Sequence, residues 1–186
     1  MNAVVAIDCR GVRPQVDGLG THIMSFLEEF RGYSGPLKFC LIVSPKSLHC
    51  FRGFFNIPHF DIMPSATKSM GVAQQVFLPM KLLSLRPSLY HYPAHDLPYC
   101  APVQSVVTVH DLNFLHLKNF YSRYTLPKQL FSKVITSLSL HRAAHVFVVS
   151  EYLKKEILRL YGAVPGEKIT VTPNGVRREL FHSIHN

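Results

Sequence analysis

Nothing in this sequence is built to cross a bilayer: no apolar run approaches the roughly 20 residues a spanning helix needs. The N-terminus lacks a basic leader followed by an apolar stretch, because Asp8 and Arg10 interrupt the early apolar residues. No secretory signal is therefore expected. There is no Cys-x-x-Cys pair. Cys9, Cys40, Cys50 and Cys100 are widely separated. Cys9 and Cys40 fall in predicted strands and read as buried thiols, which suits a reducing cytoplasmic compartment. Repeats, low-complexity tracts and an internal linker are also missing. A chain of 186 residues then reads as one domain, 1–186, long enough to bury a real core.

Acid is scarce as well. Eleven Asp and Glu face twenty Lys and Arg, for a formal net charge of +9. Such a balance favours an anionic partner. Lys128, Lys133, Lys154, Lys155 and Arg159 lie on the polar faces of two predicted helices. They read either as a solvated surface or as a means of docking on an anionic membrane surface at the cytoplasmic face. Nucleic acid is disfavoured, since no aromatic–basic motif accompanies the charge.

What is present is an alternation of two periodicities. β-branched and apolar runs at 4–9, 37–43, 60–63, 89–92, 105–109, 146–149 and 168–171 read as strands. Helical patterns fall between them. Ile23, Phe26, Leu27 and Phe30 give the first helix its apolar face, and Gly32 ends it. Residues 46–55 make a short helix weakened by Gly53, and 70–85 a helix that Pro79 should kink. Residues 122–141 make a long helix with Phe131, Val134, Ile135 and Leu138 inward and Pro127 in the first turn. Residues 93–102, with three prolines, form the clearest irregular segment. Strands alternating with helices imply an α/β fold, a mainly parallel Rossmann-like sheet covered on both faces.

In such sheets ligands bind beyond the carboxyl ends of the strands. Gly18-Leu19-Gly20 follows the first strand and opens a helix. Its glycines let backbone approach a ligand, and helix-start N–H groups suit a phosphate; a plain loop and helix start is the alternative. It is not a dinucleotide fingerprint, because Ile23 stands where a third glycine belongs and no acid ends the second strand. His110-Asp111 ends the fifth strand. His110 can donate to a hydroxyl or a phosphate, and Asp111 can fix its tautomer or bind a hydroxyl. A capped strand end is the plainer reading. His91 and His95 share that rim, with Asp96 and Asp111 near. But a His-x3-His spacing beside prolines is not helical, so no metal is expected. A His-Asp phosphohydrolase is excluded for a related reason: its ligands need helices. Ser150-Glu151 reads as a helix cap with an acid at the positive helix end, or as ligand groups. Asn174-Gly175 reads as a turn after a strand.

The last forty residues carry a family resemblance. Val149-Ser150-Glu151, a helix, then Glu167-Lys168-Ile169-Thr170-Val171-Thr172-Pro173-Asn174-Gly175-Val176 resembles the end of the N-terminal domain of a family-four retaining glycosyltransferase with the GT-B fold. Val107-Thr108-Val109-His110-Asp111-Leu112 is similar to that family's mid-domain strand. Ile7-Asp8-Cys9-Arg10 with Gly18-Leu19-Gly20-Thr21-His22 is similar to its first strand and loop. Four matches in order cover the chain from Val4 to about Phe181.

The resemblance implies one half of a GT-B enzyme, the acceptor-side domain, with the donor-binding C-terminal domain absent and the isolated chain inactive. The complete enzyme would move a sugar from a nucleoside-diphosphate sugar to an acceptor hydroxyl with retention and without a cofactor. It implies catalytic roles for His110 and Asp111 near the reacting sugar. Gly18, Leu19 and Gly20 would lie at the donor diphosphate and the acceptor. Asn174 and Gly175 would line the interdomain cleft, and Ser150 and Glu151 would bind substrate. A non-catalytic binding module that kept this fold is the alternative.

Overall fold

A computed structural model of the chain describes residues 3–15, 17–68, 71–116 and 126–175. Its seven strands are β1 (Val4–Asp8), β2 (Lys38–Val43), β3 (Phe60–Pro64), β4 (Leu89–Tyr92), β5 (Ser105–Val109), β6 (His145–Val148) and β7 (Ile169–Val171). They form one sheet in the order β3-β2-β1-β4-β5-β6-β7, every neighbouring pair parallel. The order reverses between β1 and β4, so the Rossmann-like switch point lies at the carboxyl ends of those two strands.

Period-two alternation divides the core between the faces. Ile7 and Leu41 point to one face, where α1 (Gly18–Glu29) buries Ile23 and Leu27 beside Phe51 and Phe54. Ala6 and Ile42 point to the other. There α2 (Gln74–Leu85) inserts Leu78 and Leu82, α4 (Leu126–Arg142) inserts Leu140, and α5 (Glu151–Leu160) inserts Leu153 and Ile157. A short α3 (Asn113–His116) follows β5. Cys9 and Cys40 are buried free thiols. No helix among the described residues is long and apolar enough to cross a membrane.

Several elements depart from the sequence expectation. The predicted helix at 46–55 is a 3-10 segment, Pro45–Phe54. Phe51 and Phe54, three apart, eclipse one another on such a turn, and both are buried against the sheet. α2 begins at Gln74 and continues through a buried Pro79. It ends on Arg86 in the left-handed region at φ 49, immediately before Pro87. Residues 122–125 of the predicted long helix lie outside the described residues.

The largest correction concerns which face of α4 is buried. Phe131, Val134 and Leu138 are exposed, and the buried stripe is Ser132, Ile135, Thr136, Ser139 and Leu140. Small polar side chains let this helix approach closely. Ser139 Oγ accepts a hydrogen bond from the Leu97 amide at 3.1 Å, a bond no larger apolar residue could make. The β4–β5 connection carries no helix. It is held instead by Gln74 Nε2 on the Asp96 carbonyl and carboxylate (2.8 and 2.9 Å), by Gln75 Oε1 accepting from the Tyr99 amide (3.2 Å) and by Arg142 on the Ala101 carbonyl (2.6 Å).

Candidate functional site

The crevice at the switch point is lined by Asp8, Gly11, Leu19, Ile23, Tyr92, Pro93 and Ala94. Its floor is an ion pair that sequence reasoning passed over. Asp8 ends β1, and the Arg10 guanidinium folds back on it with contacts of 2.6–3.0 Å. Both side chains are almost fully buried. Burial alone would strip charge from Arg10, but the Asp8 charge and hydrogen bonds outweigh it, so the guanidinium is held cationic more firmly than usual. Tyr90 donates to Asp8 Oδ2 at 2.5 Å, and Arg10 also reaches Gln74 Oε1 and the Thr67 carbonyl, both at 2.9 Å. Tyr92 donates to Asp96 Oδ1 at 2.8 Å. A pair so enclosed persists only because its remaining polar atoms are satisfied. The signal was Ile7-Asp8-Cys9-Arg10 itself: an acid and a base two apart at a buried strand end have only each other to neutralise.

Above this floor the histidines gather. His110 leaves β5, and His22 sits one turn into α1; their rings meet edge to face with centroids 4.5 Å apart. The His22 side chain also hydrogen-bonds to the Asn174 side chain, beyond β7. One imidazole thus touches two segments that the sequence separates by more than sixty residues. His91 lies deeper, bonded through Nε2 to Thr108 Oγ1 at 2.9 Å and packed against Phe26 and Phe147. His95 stacks on Phe114 at 4.8 Å.

Burial keeps these rings neutral. It pushes His110 and His91 down to about 4, with nearby histidine cations adding to the effect. His22 is lowered by burial, and the Asn174 bond opposes this; His95 is lowered by burial against the pull of Asp96 and Asp111. His110 bonds to the Pro93 backbone carbonyl, while its Nε2 is buried with no partner. A carbonyl only accepts, so the nitrogen facing Pro93 carries the proton. In a neutral His110 the unpartnered Nε2 is then the acceptor nitrogen. Asp111 does not fix that tautomer. Its Oδ1 accepts from the Asn113 amide at 3.0 Å and so opens α3.

The other expected residues divide. Leu19 lines the crevice. Gly18 and Gly20 lie in the first turn of α1, but the Asp17 carboxylate already caps it, accepting from the Gly20 amide at 2.6 Å. A Cβ on Gly20 would sit 2.9 Å from that oxygen, which is the physical reason for glycine there. The resident carboxylate makes this helix end a poorer phosphate cradle than its sequence suggests. Ser150 Oγ accepts from the Leu153 amide at 3.2 Å as the cap of α5, and Glu151 is exposed in its first turn. Asn174 joins the histidine cluster; Gly175 beside it is exposed. Among the described residues no group of three or more His, Cys, Asp or Glu is placed to hold a metal ion.

The chain resembles known proteins in sequence and in shape. The family description Glycosyltransferase Family 4 matches residues 16–180. No curated protein matches the chain. Among solved structures, a glycosyltransferase from Rickettsia africae superimposes with a TM-score of 0.58 at 14% identity, covering 100% of this chain and 46% of that one. A UDP-N-acetylglucosamine 2-epimerase from Rickettsia bellii superimposes with a TM-score of 0.53 at 11% identity, covering 94% and 45%. This chain therefore spans a little under half the length of either.

Proposed function

Because the chain belongs to Glycosyltransferase Family 4, we propose that it forms the acceptor-side half of an enzyme that transfers a sugar from a nucleoside-diphosphate sugar to an acceptor hydroxyl, with retention at the anomeric carbon. A second Rossmann-like domain supplies the donor site, and the reaction takes place in the cleft between the two.

One observation carries this reading. His22 packs on His110 and bonds to Asn174. Three segments that the sequence singles out thereby meet at the carboxyl edge of the sheet, beside the switch point where such folds bind ligands. His110 Nε2 accepts a hydrogen bond from a hydroxyl of the reacting sugar and holds it against the attacking acceptor. The crevice over Leu19 and Ile23 seats the acceptor, and Asp17, next to it, accepts from an acceptor hydroxyl. Asn174 and Gly175 lie at the hinge side of the cleft. Ser150, Glu151 and Asp111 shape the rim through the helices they start. Charge developing on the leaving diphosphate is met mainly from the donor domain.

Two measurements test this. The 186-residue chain alone should transfer no sugar from a panel of labelled nucleoside-diphosphate sugars, and efficient transfer would contradict the half-enzyme assignment. In a protein completed with a donor domain, His110→Ala should lower turnover by about 10²–10⁴ while the melting temperature stays near that of the parent. Unchanged turnover in the folded variant would remove His110 from the reaction.

A further inference from the structure

Gln74 opens α2 and is completely buried, although glutamines are mostly surface residues. Both polar atoms of its side chain are used. Oε1 accepts from Arg10 Nη2 at 2.9 Å, and Nε2 donates to the Asp96 carbonyl at 2.8 Å and to Asp96 Oδ2 at 2.9 Å. The partners dictate this orientation, because a guanidinium only donates and a carbonyl only accepts. No other side chain of this length meets both. A glutamate would set oxygen against the Asp96 oxygens, and a methionine would leave Arg10 and Asp96 each short of a bond. Gln74 therefore joins the Asp8–Arg10 pair at the end of β1 to the connection that leaves β4.

That tie completes a closed loop. Asp96 Oδ1 accepts from the Tyr92 hydroxyl at 2.8 Å, so a carboxylate beyond the end of β4 is bonded back to the last residue of the strand. Tyr92 and Asp96 are both buried, and the next amide, Leu97, is held by Ser139 Oγ. Only Pro93, Ala94 and His95 lie between the anchored ends. The proline ring fixes φ at Pro93, which leaves the direction of its carbonyl to a single torsion that the closed loop constrains. That carbonyl is the hydrogen-bond partner of His110. A carbonyl displaced by about an ångström leaves hydrogen-bond range. The partner of one ring nitrogen decides which nitrogen keeps the proton.

We propose that Gln74 is a positioning residue: by tying the Asp8–Arg10 pair to Asp96 it holds the Pro93 carbonyl in place, and so keeps the His110 proton on Nδ1 and leaves Nε2 as the acceptor. The coupling runs from the start of α2, through a loop closed at both ends, to the residue that leaves β5. Gln74 itself acts only through Asp96 and Pro93. The bearing of this device on sugar transfer rests on the role given to His110 above, whereas the coupling is a property of this chain and is measured on it.

The test is long-range proton–nitrogen NMR of the 186-residue chain with labelled histidine at about pH 7.5, where the ring is neutral. The His110 signals are assigned by their loss in His110→Gln. The parent should show His110 in the Nδ1–H form. Gln74→Glu should turn this into a mixture of both tautomers. Tyr92→Phe, which removes one bond to Asp96 and keeps the ring, should shift it the same way by less, and it decides the matter if Gln74→Glu fails to fold. Leu82→Val, a loss of core volume on the same helix, should lower the melting temperature and leave the tautomer as in the parent. A parent in the Nε2–H form, or a tautomer unchanged in the folded network variants, would overturn the proposal. So would an equal shift in Leu82→Val, which would make the effect one of general loosening. In a protein completed with a donor domain, Gln74→Glu should also lower kcat about tenfold with KM little changed. A shifted tautomer with unchanged kcat would uphold the coupling and remove His110 from the reaction instead.

Discussion

His91 and His110 make the fold sensitive to acid in a defined window. Above about pH 6.5 these rings are neutral whether the chain is folded or not, and they cost nothing. Below it the unfolded chain binds protons that the buried sites refuse, so stability falls as pH drops and levels off below about 4. For the deeply buried His91 the loss should be on the order of 3 kcal/mol. Urea unfolding of the parent and of His91→Gln across this range should show the variant losing less on acidification; equal slopes would remove His91 as a cause. The Asp8–Arg10 pair should respond differently. Arg10→Met leaves a buried carboxylate without its partner and should cost about 3–5 kcal/mol, whereas adding Asp8→Asn should recover much of this. At this scale the sequence showed His110 and Asn174 but not what joins them. His22 was visible only as the end of a glycine loop, because a tertiary contact between residues 22, 110 and 174 leaves no local pattern. The Asp111 bond was hidden for the opposite reason: one of its oxygens answers to its own backbone two residues on.

Helix ends were the most legible elements, because caps are local chemistry. Ser150 caps α5 as its place before a β-to-helix change implied. Asp17 does the same for α1, and Asp17→Ala should destabilise the domain by about 1 kcal/mol in thermal unfolding. The C-terminus of α2 breaks the usual preference, with Arg86 where glycine avoids steric cost. Arg86→Gly should therefore raise stability by roughly 0.5–1 kcal/mol, and a lower melting temperature would mean that the arginine side chain contributes more than its backbone costs. α4 was read with the wrong face inward. Apolar periodicity assumes that water covers whatever the core does not, and a helix that packs through Ser132, Thr136 and Ser139 defeats that assumption.

For the whole molecule, the strand–helix alternation carried the α/β class and every strand boundary to within one residue, since the period changes from 2 to 3.6 at each junction. Strand order was not available from periodicity. It follows from which strands meet across the sheet, and here the reversal at β1 creates both the switch point and the crevice. That reversal also has a consequence in time. β1 lies between β2 and β4, and Asp8 receives its bond from Tyr90, 82 residues later. A ribosome adding about 5–20 residues per second needs roughly 4 to 16 seconds to cover that distance. Throughout that interval the nascent chain holds its first strand with at least one edge open and a carboxylate awaiting its phenol. Nascent chains stalled before Tyr90 should be cut readily by protease, and those long enough to expose β4 outside the exit tunnel should become resistant.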